Sequence, residues 1–220
     1  MTLQEVGKMA REGEGLHVEF KKKATYPEKI VKEIVALANT DGGYLLIGVD
    51  DDGTVSGQRF IDEEVYVMDK AIEELIFPPL KLDKEIFTLN PKKGVAVYKI
   101  HKSDRRPHFI YEDKKKKAFI RVRDRSIQAS KEMWEILKRQ KREENIIFKY
   151  GRKEEILMKA LESRTYITLK EFMQLAKLPV YIASRTLVRL VLANVLDVIP
   201  QESEDKFVAK THQKLHPPLL

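Results

Sequence analysis

The sequence predicts an α+β fold, an α/β-like sandwich, followed by a small winged-helix-like domain. Three observations lead to this fold class. Residues 16–49 carry the hydrophobic pattern of a strand, a helix and a second strand. Further strand patterns and a helix follow up to residue 129, and residues 151–211 contain three helical segments before two short strands. The second domain is predicted from this element order alone, because no diagnostic motif accompanies it.

The first strand and the first long helix are predicted from two different periodicities. Leu16, Val18 and Phe20 alternate with polar residues, so we expect Glu19 to point away from the core. Pro27 suits the first turn of a helix. The helix that follows has one buried face, marked by apolar residues at helical spacing: Ile30, Val31, Ile34, Val35 and Ala38.

A second strand runs into a group of aspartates. Residues 39–43 stop the helix, residues 44–49 form an apolar run, and residues 50–52 are all aspartate. If the two strands are neighbours, one of these aspartates lies near Glu14 and Glu19 at one edge of the sheet. Carboxylates so close together need a cation, and Mg²⁺ or Mn²⁺ takes such oxygen ligands. The alternative is a solvated Glu14 and a polar turn, since DDDG is favourable turn chemistry.

These stretches resemble a known family. EGLHVEFKKK, the helix after it, ANTDGGYLLIGVDD and a nearby glycine are similar to the signature of the Schlafen-type AlbA-like domain, Schlafen AlbA_2. The similarity is dense at the start of the chain and continues as a general pattern through IRVRDRSIQAS. The family occurs in animal Schlafen proteins and in many bacterial regulators, so the resemblance implies nucleic-acid binding.

The resemblance also implies a set of site residues. In the Schlafen members that act as metal-dependent RNA endonucleases, two glutamates in an E-x-x-x-x-E-F-K arrangement and an aspartate after the I-G-V strand form the active site. Those positions hold Glu14, Glu19 and Asp51 here. If this chain is a nuclease, these residues would be catalytic and would bind Mg²⁺ or Mn²⁺; otherwise we expect no cofactor.

Composition limits which cellular compartment and which class of protein are expected. The chain has 220 residues, 43% of them hydrophobic, enough for one sizeable core and a smaller one. It has no cysteine, which excludes disulfides and the cysteine-containing zinc site of animal Schlafens and fits a reducing cytoplasm. No apolar run approaches the roughly 20 residues of a membrane span, and MTLQEVGKMAREGEG is too polar for a signal peptide. We expect a cytoplasmic protein with no membrane partner and a short amphipathic N-terminal helix.

The rest of the first domain alternates between helix and strand. A helix is predicted at residues 62–76, where two prolines end it. Strands are predicted at residues 82–89, 95–101, 108–111 and 118–123, with turns at 90–94 and 114–117. A linker helix at residues 130–145 ends the domain, which therefore spans residues 1–145.

Basic residues concentrate in the later part of this domain. Residues 102–142 contain 15 Lys and Arg against 6 Asp and Glu, whereas the whole chain has a net charge of +7. The alternation in FIRVRDR predicts a strand face suited to a phosphate backbone, carrying Arg121, Arg123 and Arg125. A second basic cluster consists of Lys21, Lys22 and Lys23. For any single run, such as residues 114–117, the alternative is a solvated turn or helix face.

The second domain is predicted to span residues 151–211, followed by a flexible tail at 212–220. Thr168 is expected to cap its second helix, with Glu171 as the capping-box partner. In a winged helix the third helix faces DNA, through Ser184, Arg185 and Arg189. Residues 152–210 contain 10 basic and 8 acidic residues, so protein contacts are an equal alternative to DNA contacts.

The leading functional prediction is nucleic-acid binding through the basic strand face, in a bacterial-type transcriptional regulator that binds DNA or structured RNA. The rival is a divalent-metal-dependent endoribonuclease that uses the three carboxylates. A third hypothesis is a protein-interaction or assembly module. The pattern occurs once in this chain, whereas animal Schlafen nucleases pair two lobes, so a homodimer is predicted. Its interface would include Met133, Trp134 and Leu137. The alternative is that these three residues pack on their own domain.

Overall fold

The computed structural model of the protein describes residues 1–140 and 150–210. The chain forms two compact units, Met1–Ala129 and Ser130–Leu220. The helices of the first unit are α1 Leu3–Glu12, α2 Pro27–Asn39 and α3 Ile61–Leu75; those of the second are α4 Lys131–Arg139, α5 Arg152–Ser163, α6 Leu169–Ala176 and α7 Val180–Leu192. The predicted α+β class is confirmed by this mixture of helices with the strands described next.

The strands of the first unit are β1 Val18–Lys21, β2 Gly43–Ile47, β3 Gln58–Arg59, β4 Leu82–Asn90, β5 Lys93–Ile100, β6 Ile110–Glu112, β7 Lys115–Lys117, β8 Phe119–Val122 and β9 Arg125–Gln128. Those of the second unit are β10 Leu196–Ile199 and β11 Lys206–Ala209. In the main sheet β1 pairs parallel with β2, and β5 pairs antiparallel with β2, β3 and β4. The two strands of the motif region are therefore neighbours.

The central strands β2 and β5 of the main sheet are buried on both faces. Leu45 and Tyr98 belong to the core formed with α2 and α3, whereas their strand neighbours Leu46 and Val97 belong to a second core with α1. Alternate side chains of a strand point to opposite faces, so a strand covered on both sides carries an unbroken apolar run. This explains the apolar stretch at residues 44–49.

Two short hairpins follow the sheet, and the sequence predicted neither of them completely. The expected turn at residues 114–117 is largely strand β7, which pairs with β6, and β8 pairs with the unpredicted strand β9. Lysine runs give no strand periodicity, because all their members are alike in polarity. Within residues 1–140 and 150–210, no helix is both long and apolar enough to cross a bilayer.

The second unit has its own core and the predicted order of elements. Leu157, Phe172 and Leu187 are fully buried between α5, α6 and α7, and the antiparallel hairpin β10–β11 completes this core. The capping box of α6 is confirmed: Thr168 Oγ1 accepts from the backbone N–H of Glu171, and the Glu171 carboxylate accepts from that of Thr168 at 2.8 Å. Its assignment as a winged helix stays a prediction.

Helix α4 belongs to the second unit, whereas residues 130–145 were predicted to end the first domain. Ser130 caps it by accepting from the backbone N–H of Met133 at 2.9 Å and donates its own hydroxyl to Asp205. Leu137 is buried. Its burial favours packing within the chain, and the dimer interface stays a prediction. Residues 141–145 of the predicted linker helix and the predicted tail at 212–220 lie outside the described residues.

Candidate nucleic-acid interface

The structure buries Glu19, which the sequence pattern placed on the solvent side of β1. The residue is 4% exposed, and its Oε2 lies 2.6 Å from Nη2 of Arg121 on β8. Phe20, the next residue along β1, belongs to the core on the opposite face. The prediction that Glu19 points away from the core is therefore wrong, because the polar face of this strand is covered as well.

Arg121 lies at the centre of this buried polar network. It is 3% exposed. The acceptors of its guanidinium N–H groups are the carbonyl oxygens of Gly15 (2.9 Å) and Val18 (3.2 Å), the hydroxyl of Ser126 (3.2 Å), and the carboxylates of Glu33 (2.8 Å) and Glu19. A guanidinium has only donors, and here each nitrogen has acceptors. Arg121 therefore occupies the position of a structural ion-pair residue, and its burial and its pairing with two carboxylates disfavour the predicted role as a phosphate contact.

The predicted row of arginines also breaks at the end of β8. Arg123 lies in the turn between β8 and β9, with a φ of 57°, and Arg125 begins β9. Alternation along a single strand therefore does not relate the three side chains. Arg123 and Arg125 are both exposed, so two of the three predicted cations still lie at the surface.

Lys21 connects Glu14 to the same network. Its Nζ donates to Glu19 and lies 3.5 Å from Oε1 of Glu14, an atom that also accepts from the backbone N–H of Phe20 at 3.1 Å. Burial lowers the pKa of Lys21, but its hydrogen bond to Glu19 and the nearby carboxylate charges outweigh burial and raise the pKa overall. Lys21 therefore stays charged and serves as the counter-ion of these glutamates.

The carboxylates as arranged do not fit a metal ion. Glu14 and Glu19 converge on the ammonium of Lys21, and the other oxygen of Glu19 pairs with Arg121. Asp51 is exposed in a turn closed by a hydrogen bond from the backbone N–H of Asp50 to the Thr54 carbonyl, at 2.9 Å. Across residues 1–140 and 150–210, no three His, Cys, Asp or Glu side chains are placed to hold a metal.

Two members of the predicted lysine cluster already form ion pairs with carboxylates. Lys22 lies 2.8 Å from Asp50, and the hydrogen bond between them raises the pKa of Lys22 and lowers the pKa of Asp50. Lys21 is paired with glutamates, as described above. Lys23 is exposed and makes no ion pair with a described residue, so it keeps a charge available to a partner.

The NTDGG segment serves the fold. The buried Asn39 side chain donates to the carbonyl oxygens of His108 (2.8 Å) and Phe119 (2.9 Å) and accepts from the His108 backbone N–H (2.7 Å). Thr40 Oγ1 accepts from the Arg121 backbone N–H at 2.9 Å. At Gly42, with φ of 77°, a Cβ would lie 2.6 Å from the Ile100 carbonyl oxygen. These contacts fix the end of α2 to three later strands or loops.

Five exposed cations of the first unit lie on two hairpins, β6–β7 and β8–β9, which we call the basic hairpins. Both pack on α2: β8 and β9 contact it directly, and Lys32 of α2 forms an ion pair with Glu112 of β6. Lys114, Lys115 and Arg123 are exposed and make no ion pair with a described residue. Residues 102–128, which include both hairpins, contain ten Lys and Arg against four Asp and Glu.

In the second unit, the predicted recognition helix α7 is partly covered. Ser184 donates to Glu132 of α4, so its hydroxyl is already engaged. Arg185 is exposed and Arg189 is half-buried. The structure therefore removes Ser184 from the residues predicted to face DNA, while Arg185 keeps an exposed side chain.

Glu33 is a member of the Arg121 network that sequence reasoning missed. It accepts from both Arg121 and Ser126. A signal was present, because Glu33 follows Ile30 by three residues and precedes Leu37 by four, which places it beside the apolar face of α2. A charged residue at the edge of a buried face needs a partner, and that requirement points to a buried cation elsewhere in the chain.

Comparison with known proteins gives a family for most of the first unit and a similar solved structure for most of the chain. The family model described as "Schlafen, AlbA_2" matches residues 14–130, more than half of the chain. Among solved structures, the chain is similar to the DIP2311 protein from Corynebacterium diphtheriae, with a TM-score of 0.47 and 17% sequence identity. That similarity covers 94% of this chain and 42% of the other, so this chain spans less than half of its length. No curated protein matches the sequence.

Proposed function

Because the chain belongs to the Schlafen AlbA_2 family, we propose that it binds nucleic acid through the basic hairpins of its first unit. The observation that carries the proposal is the contrast between two sets of cations. Arg121, Lys21 and Lys22 are neutralised by carboxylates, whereas Lys114, Lys115 and Arg123 are exposed without such partners among the described residues. Cations without carboxylate partners can replace counterions on a phosphate backbone.

The proposal is tested by the salt dependence of binding. The full chain is titrated against fluorescein-labelled tRNA and duplex DNA at several salt concentrations, and affinity is read from fluorescence anisotropy. The variant Lys114→Gln/Lys115→Gln should bind unrelated sequences more weakly, and its log–log salt slope on duplex DNA should be shallower by about 0.9 for each lost phosphate contact.

A matched control removes the same charge from another surface. Lys81 and Lys99 are exposed lysines outside the basic hairpins, so Lys81→Gln/Lys99→Gln has the same net charge as the hairpin variant. We expect its salt slope to stay close to that of the wild type. Equal slopes for the two variants would show that net charge, rather than the basic hairpins, determines binding.

A metal-dependent endoribonuclease is the alternative, supported by the convergence of Glu14 and Glu19 on one cation. A divalent ion there would have to replace the Lys21 ammonium, with Asp51 as the third ligand. The same titrations, repeated with Mg²⁺ and Mn²⁺ and analysed for RNA cleavage, test it. Absence of cleavage with both metals would remove this alternative and leave the binding proposal intact.

The second unit supports a finer proposal, that the protein is a transcriptional regulator whose α7 presents Arg185 to DNA as part of a winged helix. An assembly role for this unit is the remaining alternative. A regulator that reads two half-sites would act as a homodimer. Light scattering tests this point, since the dimer has twice the 25.6 kDa mass of one chain.

A further inference from the structure

Three aromatic side chains cluster on the surface of the first unit, beside the basic hairpin β6–β7. Phe77 and Phe109 have stacked rings with centroids 6.1 Å apart, and Tyr111 meets each of them edge-on at 5.5 Å. Phe77 is 38% exposed and Tyr111 is 52% exposed. We call these three residues the aromatic cluster. Large apolar rings exposed together mark a contact surface more often than single exposed residues do.

The backbone holds the aromatic cluster in place. Phe77 and Phe109 exchange two backbone hydrogen bonds, at 2.8 and 2.7 Å, so an isolated antiparallel β-bridge joins the two residues that carry these rings. Tyr111 follows Phe109 by two residues and therefore lies on the same face of the strand, whereas the intervening Ile110 is buried. The rings are thus ordered before any ligand binds, which reduces the entropy lost on binding.

The charges around the aromatic cluster favour an anionic ligand. Lys116 pairs with Tyr111 across the hairpin, and its ammonium lies 4.8 Å from the centroid of the Phe109 ring. Lys114 and Lys115 are exposed on the same hairpin. The nearby carboxylate of Glu112 is paired with both Lys32 and Lys117. A ligand at this surface therefore meets flat apolar rings and positive charge together.

We propose that the aromatic cluster stacks unpaired bases of single-stranded nucleic acid while the lysines of β6–β7 contact its phosphates, an inference that rests on the proposed nucleic-acid-binding function. Single strands supply both features that this surface matches, a base with a π face and a phosphate at each step. Bases inside a duplex are stacked on each other and cannot reach a protein ring, so the rings select for single strands, loops or ends.

The test separates stacking from charge. Oligo(dT) and oligo(rU) of roughly 15 nucleotides, about one binding site in length, and a duplex of the same length are titrated with the full chain by fluorescence anisotropy. Tyr111→Leu removes the π face but keeps an apolar side chain. We expect it to weaken single-strand binding by roughly 5- to 150-fold, the range for loss of one base–aromatic stack. The salt slope should not change, because no phosphate contact is lost.

Two further variants make the comparison specific. Tyr111→Phe keeps the ring and should bind as the wild type does. Tyr66→Leu removes a more exposed ring, 69% exposed on α3, and should also bind as the wild type does. Photo-crosslinking of oligonucleotides that carry 5-iodouracil to the wild-type chain, followed by peptide mapping, should place the adducts on the aromatic cluster.

Each other outcome has a definite meaning. Unchanged single-strand affinity for Tyr111→Leu, equal weakening of duplex binding, or adducts that map elsewhere would overturn the stacking proposal and leave the proposed function standing. A wild type that binds duplex DNA but no single strand would do the same. A wild type that binds none of the nucleic acids would overturn both proposals, as would a surface that proves to bind only protein.

Discussion

Replacing Arg121 tests whether this residue supports the fold or binds a ligand. Arg121→Gln removes the cation that faces both Glu19 and Glu33. Removing one member of a buried ion pair costs about 3–5 kcal/mol, because the remaining charge is left buried without its partner. Two features place the expected loss of stability near the lower end of this range. Lys21 still neutralises Glu19, and the Glu33 side chain is 24% exposed, so water reaches it.

Urea unfolding of the full chain, followed by far-UV circular dichroism, measures the loss. Hydrogen exchange of α2 assigns it to the first unit, because Glu33 lies on that helix. The matched control is Arg123→Gln. It removes the same charge from a residue two positions after Arg121, which is exposed in a turn. Its free energy of unfolding should stay within about 0.5 kcal/mol of the wild type, as is usual for surface substitutions.

A double variant examines the reason for the loss. In Glu19→Gln/Arg121→Gln, the buried carboxylate loses its charge together with its partner, so we expect part of the stability to return. If Arg121→Gln is as stable as Arg123→Gln and instead binds nucleic acid more weakly, the reasoning is refuted. Arg121 would then reach phosphates in solution, as the sequence pattern had suggested.

Two further predictions concern the connections around α2. The ring of His108 donates from Nδ1 to the Pro78 carbonyl and accepts at Nε2 from Ser103, and burial lowers its pKa. As pH falls, the unfolded chain therefore binds a proton at His108 before the folded chain does. Below about pH 6.5 the free energy of unfolding should decrease by at most about 1.4 kcal/mol per pH unit. Urea unfolding at several pH values measures this decrease, which should be shallower in His108→Gln. Gly42→Ala should lower the free energy of unfolding by at least about 2 kcal/mol in the same assay, because the new Cβ combines a left-handed φ with a 2.6 Å contact to the Ile100 carbonyl oxygen. The control is Gly15→Ala, which should cost less because a Cβ there meets nothing within 4 Å.

Local patterns predicted the elements that have a strong hydrophobic periodicity and whose ends are marked by residues that start or stop a helix or strand. Helix α2 begins at Pro27, as predicted, and the two short strands predicted after the three helices of residues 151–211 are present as β10 and β11. The buried apolar run at residues 44–49 also lies in and just after β2. In each case the information is carried by neighbouring residues, so a short window of sequence is sufficient.

The buried network around Arg121 could not be predicted in that way. Alternation shows which residues share a face of a strand, but it does not show whether that face is covered. The acceptors of Arg121 include Gly15, which is 106 residues away in the chain, and Glu33, which is 88 residues away. A charged residue on a covered face gives the same local pattern as one in solvent, and only its distant partners distinguish the two.

The contacts of the glutamates affect how the nuclease alternative has to be tested. Glu19 holds Arg121 and Lys21, so its replacement disturbs the packing of β8 on α2 whether or not the residue has a catalytic role. A loss of cleavage in Glu19→Gln would therefore not distinguish chemistry from folding. Asp51 is exposed in the turn after β2, and Asp51→Asn should leave the free energy of unfolding nearly unchanged. Loss of Mn²⁺-dependent cleavage in that stably folded variant would be evidence for a catalytic carboxylate, and retained cleavage would exclude Asp51 from the reaction.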